Sequence, residues 1–83
     1  MGKCEKLLRE ALNAPANLRF SDLCRLAECY QFVLRKGGGT SHRIYKRSGF
    51  DKLLNFQDDN GKAKPYQIKQ LLDALRELGE IAD

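Results

Sequence analysis

Apolar positions along the chain keep a helical spacing at both ends and a strand spacing in the middle. Cys4, Leu7, Leu8, Ala11 and Leu12 recur every three or four residues, which predicts a helix over about 2–14. Pro15 ends it. A short connector follows, whose Leu18 and Phe20 can pack inward. Ser21 suits an N-cap, and Asp22 follows where the helix dipole favours a carboxylate. Leu23, Leu26, Ala27 and Tyr30 then make a second apolar helix face. From Phe32 the period drops to two. Phe32 and Leu34 share a side of a predicted strand over 32–36, and Gly37-Gly38-Gly39 breaks it. A second strand is predicted over 40–47 and a third over 51–57, separated by the turn signal Ser48-Gly49. Leu54 and Phe56 lie on one side of the third. Asp58-Asp59-Asn60-Gly61 is a strong turn. A final helix opens at Pro65, carries the stripe Ile68, Leu71, Leu72, Leu75 and Leu78, and closes at Gly79.

The order helix, helix, strand, strand, strand, helix predicts an α+β fold. Short turns make the strands a three-stranded antiparallel sheet, with the helices packed on one face. At 83 residues the chain has room for one domain, with an additional N-terminal helix over 1–15 and a core over 18–81. The α-β-β-β-α order of that core is also the order of double-stranded-RNA-binding domains.

Charge adds a direction. The net charge of +4 is unevenly spread. Arg35, Lys36, Arg43, Lys46, Arg47 and Lys52 cluster in the middle against a lone Asp51, while carboxylates gather toward both ends. This suits a polyanion, although a charge run is equally a solvated face. No stretch reaches the roughly 20 apolar residues of a membrane helix, and the charged start lacks the pattern of a signal peptide. Both point to a cytoplasmic protein without a membrane partner. Cys4, Cys24 and Cys29 are odd in number and include no Cys-x-x-Cys pair, so buried free thiols are expected rather than a disulfide framework. One histidine is too few ligands to suggest a metal site, and the glycines fit no nucleotide-binding fingerprint. No cofactor is expected.

His42 is the natural focus for chemistry. It follows the three glycines and Thr40-Ser41, with Lys36, Arg43, Lys46 and Arg47 around it. An imidazole exchanges protons near neutral pH, and RNA brings its own nucleophile in the 2′-hydroxyl. One histidine with adjacent cations therefore meets most needs of a metal-independent ribonuclease, although a lone histidine is more often a plain surface or core residue. Gly38 and Gly39 could let a phosphate approach the backbone, or simply form a hairpin loop. Lys62, Lys64 and Tyr66 surround the start of the last helix, where a phosphate could also be held. Phe20, Phe32 and Phe56 are expected in the core. Tyr45 is expected at the surface, on the strand face shared with Ser41 and Arg43 and opposite His42 and Ile44.

The run Tyr30-Gln31-Phe32-Val33-Leu34-Arg35-Lys36, then Gly38-Gly39-Thr40-Ser41-His42-Arg43-Ile44-Tyr45, then Tyr66-Gln67-Ile68-Lys69-Gln70-Leu71-Leu72, resembles the HicA family of toxins. These are messenger-RNA interferases of HicA–HicB toxin–antitoxin systems, with a small double-stranded-RNA-binding-like fold and a Gly-Ser-His signature opening the second strand. The resemblance spans about 18–81. It implies a type II toxin that cleaves mRNA as an endoribonuclease, with His42 catalytic and a HicB-type antitoxin covering the site; Ser41, next in sequence, is expected to orient the imidazole. RNA would be held by Lys36, Gly38, Gly39, Arg43, Lys46, Arg47 and Lys64. Thr40 separates Gly39 from Ser41-His42, and Gln57-Asp58-Asp59-Asn60 stands where many members carry a proline and a second histidine. The alternative is a non-catalytic RNA-binding module of the same fold.

Overall fold

The computed structural model describes residues 2–36 and 42–82. Its elements are α1 (Lys3–Asn13), a 3₁₀ turn (Pro15–Asn17), α2 (Phe20–Cys29), β1 (Val33–Lys36), β2 (His42–Lys46), β3 (Leu54–Gln57) and α3 (Pro65–Glu77). The strands form one antiparallel sheet in the order β1-β2-β3. The α+β fold and the order of elements are those the periodicity predicts.

Two faces of the sheet follow from the register. Tyr45 pairs with Leu54 and Arg43 with Phe56, while Ile44 pairs with Asn55 and His42 with Gln57. Side chains alternate along a strand, so Arg43, Tyr45, Leu54 and Phe56 share one face. Tyr45, Leu54 and Phe56 are buried there, under α2 on the β1 side and α3 on the β3 side. His42, Ile44 and Lys46 lie on the other, open face. Arg35 is an extra residue in β1, because Leu34 pairs with Tyr45 and Lys36 with Ile44.

The core draws Leu23, Leu26 and Ala27 from α2, Phe32 and Phe56 from the sheet side, and Ile68, Leu71 and Leu75 from α3, together with Leu7 and Ala11 of α1. The N-terminal helix is therefore part of the core. Phe32 and Phe50 meet edge to face, with ring centroids 5.9 Å apart.

Two helix ends depart from expectation. Helix α2 begins at Phe20, one residue before the expected cap at Ser21, and Asp22 accepts the Arg19 amide at 3.2 Å. This is the returning half of a capping box, and arginine has no acceptor with which to supply the other half. At its other end the amides of Gln31 and Phe32 donate to Glu28 and Ala27. That pattern is a Schellman motif with Gln31 at φ 71° in the usual glycine position. Helix α3 ends the same way, the amides of Gly79 and Glu80 donating to Arg76 and Leu75.

The cysteines correct an expectation. Cys4 and Cys29 form a disulfide, and only Cys24 is a buried free thiol. Helices α1 and α2 pack together as a hairpin, which brings the first turn of α1 beside the last residue of α2. Odd counts and spacing carry no trace of that proximity.

Candidate nucleic-acid interface

His42 opens β2 on the open sheet face, exposed and directly across from Gln57 at the end of β3. Side chains of directly opposed residues stand about 5 Å apart at Cβ. Gln57 is itself held from two sides. Its amide donates to Gln67 Oε1 at 2.8 Å, and its side-chain oxygen accepts from Lys64 Nζ at 3.1 Å. Lys64 is the N-cap residue of α3, so the start of the last helix and the start of β2 meet at one end of the sheet through Gln57.

Local sequence explains why the helix starts there. Asn60 and Gly61 both have positive φ, 54° and 84°, and Asp59 and Lys62 exchange backbone hydrogen bonds of 3.2 and 2.9 Å. This is the two-residue hairpin turn that Asn-Gly favours. Gly61 also donates to the Asp58 carboxylate. The returning arm pairs with the connector before α2, Ala63 donating to Leu18 and Phe20 to Gly61. Pro65 then starts α3 at its first position. Gln67, 4% exposed, is the one buried polar side chain among the described residues. Its Nε2 donates to the hydroxyl of Tyr66, which is 58% exposed.

The expected cations divide. Lys46 is exposed on the open face, two residues beyond Ile44 and so about 13 Å along β2 from His42. With Val33, Arg35 and Ser48 it lines a shallow groove. Arg43 lies on the helix-covered face, its guanidinium 5.6 Å from the centroid of Phe20. Arg47 is anchored, donating to the Tyr30 carbonyl at 3.0 Å and to Glu80 at 2.7 Å. Lys36 is the last residue of β1, its backbone paired with Ile44. Ser41, Gly38 and Gly39 lie outside the described residues.

Tyr45 corrects a second expectation. It is fully buried, and its hydroxyl donates to Glu28 at 2.9 Å. Burial pushes its phenol up, and hydrogen bonding with the Cys24 thiol adds to this. Burial likewise raises the Cys24 thiol. Strand parity placed Tyr45 with Arg43 correctly, but parity does not say which face the helices cover. Gln57 and Gln67 escaped the sequence reading because glutamines carry no motif. Their signal is the register that sets Gln57 opposite His42.

The chain matches no protein-family model, no curated protein and no solved structure.

Proposed function

We propose that the protein is a HicA-like toxin, a metal-independent endoribonuclease that cuts messenger RNA with His42. The observation that supports this most directly is the exposed position of His42 on the open sheet face, one strand from the Gln57–Lys64 pair. In this reading Lys64 holds the phosphate at the scissile position, and Lys46 and Arg35 guide the strand across the sheet. His42 takes the proton of the 2′-hydroxyl as base or gives one to the leaving oxygen as acid. The 2′-oxygen attacks phosphorus, the P–O5′ bond breaks, and a cyclic phosphate and a 5′-hydroxyl result. Ser41 is assigned to orienting the imidazole, and Lys36, Gly38 and Gly39 to the phosphate backbone, from the sequence alone. Arg43 and Arg47 are assigned to the fold instead of the RNA.

The partner in this reading is a HicB-type antitoxin that masks the open face. The exposed Val33 beside Arg35 and Lys46 suits an acidic segment with an apolar contact. No helix among the described residues is long and apolar enough to cross a membrane. Messenger RNA sets the working compartment as the cytoplasm, where thiols are ordinarily kept reduced and the Cys4–Cys29 bond would be transient.

Cleavage of a labelled transcript in EDTA tests the reading. Wild type should generate 5′-hydroxyl ends, and His42→Ala should lose cutting while keeping RNA affinity. If wild type and variant bind alike and neither cuts, the non-catalytic RNA-binding module stands instead.

A further inference from the structure

Tyr66 is the one exposed aromatic ring among the described residues, because Phe20, Phe32, Tyr45, Phe50 and Phe56 are buried and Tyr30 is half-buried. A single exposed ring, 58% exposed here, is ordinary by itself; its neighbours are what give it a use. Tyr66 is two residues beyond Lys64, just past Pro65, and its hydroxyl accepts from Gln67, whose amide oxygen accepts the Gln57 amide opposite His42. A buried side chain thus ties the ring to the proposed reaction site while leaving its face in solvent.

We propose that Tyr66 is a base-stacking platform and that the RNA bound at this end of the sheet is single-stranded. The inference rests on the RNA reading above and narrows it. A cation beside an exposed aromatic ring is the pairing that tracks an unpaired strand, the cation on a phosphate and the ring on a base. Duplex RNA hides its base faces within the stack, so the ring would have nothing to receive. The fold order shared with duplex-binding domains therefore does not predict the substrate. Anchoring at the hydroxyl reduces the freedom lost when a base stacks, and a flipped or unpaired base on Tyr66 would leave its phosphate near Lys64.

Fluorescence anisotropy decides it, with labelled single-stranded RNA and a hairpin duplex of equal length. Full-length His42→Ala protein is used so that no cutting intervenes. The single strand should bind more tightly. Adding Tyr66→Ala should weaken it about 5- to 150-fold, the range of one base–aromatic stack, and leave duplex binding unchanged. Adding Tyr66→Phe should keep most of the affinity, since the ring survives. Both variants remove the acceptor of the buried Gln67 Nε2, so both should melt slightly and about equally below the parent, and Tyr66→Phe separates that loss from the loss of the ring. Equal or tighter duplex binding, or a Tyr66→Ala variant within twofold of its parent, overturns the stacking role while leaving RNA binding intact. Failure of both RNAs to bind overturns the RNA reading and this inference together.

Discussion

At the scale of single residues, Tyr45 shows what a buried phenol does to stability. Its folded pKa stands above the ordinary value near 10, first through burial and then through Cys24. A raised folded pKa means that its contribution is fully present below the unfolded value. Above that the unfolded chain gives up the proton first, so stability falls as pH rises toward the folded value. Cys24, raised by burial from an ordinary value near 9, begins the fall, so urea midpoints should drop from about pH 9 and more steeply from about pH 10. Tyr45→Phe should lose the bond to Glu28, worth about 1 kcal/mol at neutral pH. It should also show a shallower alkaline decline. Tyr30, raised by burial and by Glu80 and Glu5, titrates in both proteins and cancels in the comparison. Identical alkaline slopes would remove Tyr45 from the account. The same residue marks a limit of sequence reading. Alternation along β2 separated Arg43 and Tyr45 from His42 and Ile44, and the structure keeps that separation. The inward direction is set by Leu54 and Phe56 across the strand gap and by the helices above them, which no local pattern in 42–46 contains.

At the scale of elements, α1 is the piece least foreseen. Its apolar stripe was legible, yet only Leu7 and Ala11 are buried, while Leu12 stays 46% exposed. Two buried side chains are a modest hold for an 11-residue helix, and the Cys4–Cys29 bond supplements it. The bond closes a loop across a sequence separation of 25. Chain entropy for such a loop is worth about 3 kcal/mol. Dithiothreitol should therefore lower the denaturation midpoint substantially, and Cys4→Ser should reproduce the shift without reductant. Thiol titration of the native protein should stay low, since the remaining thiol, Cys24, is buried. Three rapidly reacting thiols, or equal midpoints with and without reductant, would show that the hairpin stands without the bond. The turns, by contrast, were legible because their chemistry is local. Asn60-Gly61 dictates its own backbone, Pro65 starts α3, and Gly79 ends it.

At the scale of the whole molecule, the net charge matters less than where the cations are already engaged. Lys69 and Arg76 both reach Asp73, whose carboxyl is held low chiefly by Lys69. Lys52 meets Glu77, and Arg47 meets Glu80 with only 15% of its side chain exposed. The pairs on Asp73 lie within α3, whereas Lys52–Glu77 and Arg47–Glu80 fasten α3 and the segment after it to the sheet side, so two members of the basic cluster seen in sequence are structural. Exposed Lys46 and Arg35, with Lys64 at the sheet end, are left to meet a polyanion. Binding to a single strand loses about 0.7 in the slope of log affinity against log salt per phosphate neutralised, so these three contacts together with Lys36 predict a slope of about −3. Lys46→Ala should make it shallower by about 0.7 at little cost in stability. Arg47→Ala should do the reverse, lowering the melting temperature through loss of the Glu80 and Tyr30 contacts while the slope stays put. Salt titrations of both variants separate the two roles. An Arg47→Ala slope as shallow as that of Lys46→Ala would mean that the arginine exchanges Glu80 for phosphate when RNA arrives, and that the end of β2 belongs to the binding surface after all.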